Sequence, residues 1–230
     1  AEVDFIMFSG DMVEVGSNQE EWDAWLDAAG HVLARRPLVP AHGNHEFLSQ
    51  NYFAQFALPN NEEWFSITYG NLLLVSLNDT VRKSEQLSTE QAAYLDAVLS
   101  EAGDVWKFTM HHQSAFSTCT RHGSDLDVRD AWVPMYDRHE VDIAFAGHNH
   151  IYERSTPIRD GEVAAEGEGT VYIVTGGAGA PLYDESETEW FSNVATAVNH
   201  YLIADVSAES VTVTAYDLSG NTIDSFSVPR

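Results

Sequence analysis

Apolar and polar positions follow two rhythms along this chain, and the change between them divides it. Through residue 146, short apolar runs alternate with segments of helical period; beyond it, runs follow one another without a helical stretch. Residues 3–9, 37–41, 64–69, 72–77, 105–110 and 141–146 are apolar runs short enough to read as buried strands. Trp22, Trp25, Leu26, Ala29, Val32 and Leu33 recur at helical spacing after Ser17-Asn18-Gln19-Glu20, a capping box. Those two Trp read as core. Ala92, Leu95, Val98 and Leu99 form a second stripe after Ser88-Thr89-Glu90-Gln91, and shorter helices are expected around 48–57 and 128–139. Gly70-Asn71 turns a hairpin between 64–69 and 72–77. Strands are then expected at 152–157, 170–175, 201–205, 211–216 and 222–228, with a turn at 217–221 and an exposed loop at 161–169. The pattern predicts an α/β fold: a sheet sandwich flanked by helices, with residues 1–230 as one domain and no internal repeat or linker.

Composition narrows the partners. Among 230 residues, 36 acidic against 11 basic give a formal net charge of −25, a field that disfavours nucleic acid and anionic membranes. The only lysines are Lys83 and Lys107; a Lys-poor, acid-rich surface fits an extracellular or extracytoplasmic location. No apolar run approaches the ~20 residues of a membrane span. Cys119 is the sole cysteine, so no intrachain disulfide forms, and it reads as inert. Ala1 and Glu2 lead directly into a buried strand, which suggests a truncated start.

Four of the expected strands end in ligand chemistry: Gly10-Asp11, Gly43-Asn44-His45-Glu46, Met110-His111-His112 and Gly147-His148-Asn149-His150. Strands that feed polar residues into loops at one sheet edge build the sites of α/β proteins. Asp, Asn and His together are hard and borderline ligands for divalent or trivalent metals. Any one of these residues is more often a turn or surface residue than a ligand. In an extended segment His148 and His150 would share a face. All four segments together make coincidence a poor account.

The order Gly-Asp, Gly-Asn-His-Glu, x-x-x-His, Gly-His-x-His resembles the motif set of the calcineurin-like metallophosphoesterases. Residues 147–154, Gly-His-Asn-His-Ile-Tyr-Glu-Arg, and 169–179 look like the purple acid phosphatase branch. The resemblance implies a fold of αββα layers, with its first strand missing from this chain. It also implies a dinuclear centre of Fe, Zn or Mn: Asp11 bridges, Asn44, His111 and His148 complete one metal's ligands, and His150 binds the other. A metal-bridging hydroxide would then attack the phosphorus of a phosphorylated small molecule. His45 would contact phosphate and help protonate the leaving group, with Glu46 orienting it. His122 sits where relatives place a substrate-facing His, against the alternative of a surface loop residue. His112 reads as a neighbour of the ligands rather than a ligand, and Arg154 as the partner of an acidic residue.

Two positions depart from the family pattern. The family's first motif, an Asp followed by His or Gly, is absent from these residues. The Tyr that the purple branch places three residues after the bridging Asp is here Glu14, so an iron–phenolate colour is not expected. The expected activity is an acid phosphatase-like phosphomonoesterase. A phosphodiesterase or nucleotide hydrolase of the same fold stays open, as does a silent metal- or phosphate-binding fragment. A serine hydrolase is excluded for lack of Gly-x-Ser-x-Gly.

Overall fold

A short parallel pair opens the chain. β1 (Ile6–Phe8) lies beside β2 (Leu38–Pro40), joined by α1 (Gln19–Leu33), and α2 (Gln50–Gln55) follows. These elements belong to a computed structural model that describes residues 2–80, 84–185 and 189–230; Ala1 and Lys83 lie outside it. The main sheet takes β3 (Phe65–Tyr69), β4 (Leu72–Ser76), β5 (Trp106–Met110), β6 (Ile143–Ala146), β7 (Tyr152–Ser155), β10 (Val171–Thr175) and β11 (Ser192–Thr196). Its order is β11-β7-β10-β6-β5-β4-β3, with β4, β5, β6 and β10 parallel in its middle. Between β4 and β5 run α3 (Ser84–Gln86), a π-helical turn (Leu87–Gln91) and α4 (Ala92–Glu101); α5 (Leu126–His139) connects β5 to β6. A small hairpin, β8 (Ile158–Arg159) with β9 (Glu162–Val163), precedes β10. The chain closes on a meander of β12 (His200–Val206), β13 (Ser210–Asp217) and β14 (Thr222–Pro229).

Side-chain parity explains why these pieces stack into four layers. Along β5, Trp106, Phe108 and Met110 face one way, with Leu72 and Leu74 of β4. They meet Val211, Val213 and Ala215 of β13, and Phe5, Met7 and Val39 beside the β1–β2 pair. The other face of the main sheet, through Leu73, Val75, Ala144 and Tyr172, packs under Leu95 and Leu99 of α4 and Val128, Trp132 and Tyr136 of α5. On the far side of the β1–β2 pair, Phe8 and Leu38 meet Trp22, Trp25, Tyr52 and Phe56 of α1 and α2. Strands β4 and β6 are buried at every position, as parallel strands covered on both faces must be. The result is the αββα arrangement that the sequence led us to expect.

The differences are local. The cap of α1 is Asn18, whose Oδ1 accepts from the Glu20 N–H at 3.1 Å, and Glu21 rather than Glu20 reaches back, to the N–H groups of Val15 (2.8 Å) and Glu14 (2.9 Å). Ser88 does not cap a helix, because helical backbone has begun at Ser84. The Ser88 and Thr89 hydroxyls instead donate backwards to the Glu85 carbonyl, at 3.3 and 2.6 Å. β11 was not expected: Ser192–Thr196 is apolar only at Val194 and Ala195, which suffices for an edge strand paired on one side with β7. The β8–β9 hairpin occupies part of the expected 161–169 loop. No helix among the described residues is long and apolar enough to cross a membrane.

Candidate metal centre

Four chain segments leave the C-terminal ends of β1, β2, β5 and β6 and meet between the two sheets. The first turns sharply: Gly10 and Asp11 have φ of 89° and 58°, a left-handed conformation that a non-glycine residue holds only when its surroundings fix it. The buried Glu46 carboxylate provides that fixation. Its Oε2 accepts from the N–H groups of Asp11 (2.9 Å) and Gly43 (2.7 Å), and its Oε1 from that of Met12 (2.7 Å). Asp11 Oδ1 in turn accepts from the His45 N–H at 2.9 Å. A Cβ on Gly43 would stand 2.2 Å from the Asp11 nitrogen, so only glycine lets the two loops close this tightly.

The third segment sends its adjacent histidines to opposite faces. His111 keeps the parity of β5 that faces the helices: its ring lies edge-on to Trp132 at 5.2 Å, and its Nδ1 donates to Asp79 Oδ2 at 2.9 Å. His112 continues the parity of Trp106, Phe108 and Met110 and faces the second sheet. Its Nδ1 donates to the Ser9 carbonyl at 2.7 Å, and its Nε2 lies 2.9 Å from Asp11 Oδ2, 3.0 Å from Asn44 Oδ1 and 3.2 Å from His148 Nδ1. The position expected of His111 is therefore held by His112, and the alternation along β5 was the signal that pointed to it.

The fourth segment is not extended. Asn149 donates to the Gly147 carbonyl at 2.6 Å and Ile151 to that of Asn149 at 2.7 Å, two successive tight turns with His148 at φ 61°. The two histidines consequently diverge. His148 turns to His112, while His150 donates from Nδ1 to the Pro181 carbonyl at 2.8 Å and stacks on Tyr183, centroids 4.1 Å apart. The Gly176–Gly177 loop lies beside this segment; a Cβ on Gly176 would stand 2.2 Å from the Asn149 carbonyl oxygen. His122 packs its ring 4.2 Å from that of His148.

Charge and burial oppose one another here. Burial pushes the Asp11 carboxyl up, but the bond and charge of His112, with the His45 N–H, outweigh it and leave the group below the usual carboxylate range. Burial pulls the His112 ring down; the bond and charge of Asp11, then Asp79, reverse this and raise it to about 9. His148 is lowered to about 3, by burial first and then by the charge of His112, which favours its neutral ring. His122 is lowered by burial and by Arg121. Glu46 is raised, by burial and then by the Asp11 charge, against the N–H groups it accepts from.

The remaining expectations resolve separately. Glu46 does not touch the His45 side chain; His45 Nδ1 donates instead to the Glu14 carbonyl at 2.7 Å, which leaves its Nε2 toward Asp11 Oδ2 at 4.0 Å. The Glu14 side chain is exposed. Arg154 pairs with Asp224, Nε to Oδ2 at 2.6 Å and a terminal nitrogen to Oδ1 at 3.1 Å, away from the cluster. Among the described residues, Asp11, His112 and His148 are the only three acidic, His or Cys side chains whose ligand atoms lie within 4.8 Å of one another. With Asn44 Oδ1 they present two oxygens and two nitrogens converging on one point, a donor set that suits a divalent transition metal. Asp79, which the sequence did not mark, accepts from His111 Nδ1 and from the N–H groups of His112 (3.1 Å) and Gln113 (2.6 Å), fixing the chain that carries His112.

Comparison with known proteins shows a family and a fold. The sequence profile of the calcineurin-like phosphoesterases matches residues 1–152. An uncharacterised protein of Mycobacterium tuberculosis is 30% identical over an alignment that covers 76% of this chain and 42% of that protein. Purple acid phosphatase 15 of Arabidopsis thaliana is 28% identical, with 70% of this chain and 33% of that enzyme covered. The chain thus spans less than half the length of these relatives. A purple acid phosphatase from yellow lupin (Lupinus luteus) seeds superposes with a TM-score of 0.88 at 19% identity, covering 98% of this chain and 46% of that one.

Proposed function

Starting from the fact that this chain belongs to the calcineurin-like phosphoesterase family, similar to its purple acid phosphatase branch, we propose that it hydrolyses phosphomonoesters at a dinuclear metal centre. The observation that carries the reading is the convergence of Asp11, Asn44 and His148 on His112 Nε2 within 3.2 Å. Asn44, His112 and His148, with Asp11, would hold one cation, and His150 would serve a second. When bound, two such cations supply Lewis acidity toward a phosphoryl oxygen and activate water. The chain's own residues do the rest. Glu46 and Gly43 hold Asp11 in its left-handed turn, so the carboxylate enters the site already oriented. His45 has its Nδ1 proton committed to the Glu14 carbonyl, so it can give a proton to a leaving group only from Nε2 of the imidazolium. His122, its ring 4.2 Å from that of His148, is the residue this reading assigns to substrate contact.

The test is metal-dependent hydrolysis of p-nitrophenyl phosphate. Asp11→Ala and His148→Ala should each lower kcat/KM by at least about a hundredfold, since even the partners behind metal ligands are typically worth ten- to a hundredfold. Activity retained by both variants at full metal occupancy would sink the reading. One observation favours a second reading, a silent metal-binding module: only one three-residue group forms among the described residues. Tight binding of one metal per chain without turnover would establish it.

A further inference from the structure

The loop beside the metal cluster carries a cation that the hydrolysis proposed above does not use. Arg121 is exposed, yet its guanidinium is held in place, its carbon 4.7 Å over the Tyr183 ring. Tyr183 stacks at the same time on His150 and meets the His122 ring edge-on at 5.6 Å. Backbone bonds pin the two loops together: the Thr120 N–H to the Asp184 carbonyl at 2.9 Å, and the Tyr183 N–H to the His150 carbonyl at 3.1 Å. The charge of Arg121 already reaches the cluster's edge, where it helps to lower His122.

What sets this arginine apart is that it combines an uncountered charge, which among the described residues Arg35, Arg36 and Arg129 also carry, with a place beside the metal cluster. Arg138, Arg154, Arg159 and Arg230 each pair with a carboxylate. Arg121 has none within 4.0 Å among the described residues, in a chain where 36 acidic residues outnumber 11 basic ones. A net charge of −25 repels anionic substrates, so a fixed guanidinium at the flank of the site changes which anions can approach. Stacking on Tyr183 removes rotamer freedom before any ligand binds, which strengthens whatever bond the planar fork makes. The phosphoryl group to be cleaved belongs at Asp11, His112 and His148. Arg121 connects to that point through successive ring contacts with Tyr183 and His122, which leaves the guanidinium for a different part of the substrate.

We infer that Arg121, positioned by Tyr183, selects substrates whose leaving group carries a second anionic group, a carboxylate or another phosphate. This rests on the phosphoesterase reading, and the experiment separates the two. The metal-loaded chain is titrated with 3-phosphoglycerate and with glycerol 3-phosphate, which share the phosphate and differ in the carboxylate, and turnover of each is followed in parallel. Arg121→Gln keeps a planar group against Tyr183 and removes the charge. Its affinity for 3-phosphoglycerate should fall about tenfold, as expected for one charge-assisted bond at a partly exposed site, while that for glycerol 3-phosphate stays within about twofold. Equal loss for both ligands, or no loss for either, overturns the inference. Binding without turnover of either compound overturns the hydrolase reading instead, and leaves the binding comparison intact.

Discussion

The parallel strands of the main sheet have two ends, and a partly buried carboxylate near each shows how differently they are built. At the C-terminal end, Asp11 bonds to the His112 imidazole at 2.9 Å, and each group pulls the other toward its charged form. At the N-terminal end, Asp142 directly precedes β6 and accepts from the Lys107 N–H at 2.7 Å. Its pKa is raised to about 6, by burial first, with Lys107 only moderating it. The Lys107 ammonium is turned to the His139 carbonyl. The backbone differs as well. Asp11 and His148 occupy left-handed conformations at the first end, whereas Asp142 continues the ladder, its N–H to Lys107 O and its carbonyl accepting from Val171. Burial alone therefore drives a carboxyl toward neutrality. Keeping one ionised in a fold interior takes a cationic partner at bonding distance, and at the C-terminal end the strained turn brings Asp11 to the His112 ring.

The largest expected effect tests whether adjacent histidines have been given the right roles at that end. His112→Asn should abolish tight metal binding, measured as metal content per folded chain, with activity lost alongside it. His111→Asn should keep its metal but lose stability by about 1–3 kcal/mol, because it disrupts a buried hydrogen bond to Asp79. A thermal melt and metal analysis on both variants decide it. The reverse pattern, metal lost only with His111, would return the ligand role to the residue that the motif spacing first suggested.

How much of this was legible in the sequence depended on whether a local rule decided it. The strands feeding the site were, because they are short, mostly apolar runs, β6 being buried and apolar at every position. The choice of His112 over His111 needed one more step. The alternation Trp106, Phe108, Met110 extends to 112, but only the packed fold shows that this face meets β1 and β2. The divergence of His148 and His150 was not legible, since it follows from two tight turns held by tertiary neighbours and not by residue type. The partner of Glu46 was hidden for a similar reason: its carboxylate reaches backbone N–H groups across 34 and 35 positions of sequence, which no spacing records.

A middle-sized effect concerns the open side of the same end. His150 binds the Pro181 carbonyl and Tyr183, outside the close group of Asp11, His112 and His148. His150→Ala should therefore remove one metal and leave the other, so a metal titration should fall from two sites to one. Activity should drop by about tenfold or more while the melting temperature of the metal-free chain hardly changes. Loss of both metals would mean that the two sides are built as one unit.

The smallest effect lies at the opposite end. Asp142 titrates at about 6 in the fold against an ordinary 3.8. Below about pH 4 the proton is held in both states and nothing is lost. Between these values the fold keeps a proton that the unfolded chain gives up, so stability falls as pH rises, and above about 6 the full penalty stands. At roughly 1.4 kcal/mol per unit, and with partial exposure taken into account, that penalty is about 2 kcal/mol. Asp142→Asn keeps an acceptor for the Lys107 N–H and removes the charge. Relative to the parent, the variant should melt several degrees higher at pH 7, with the gain shrinking toward pH 4, and metal content should be unchanged. A gain independent of pH, or any change in metal binding, would show that the two ends of the sheet are not electrostatically separate.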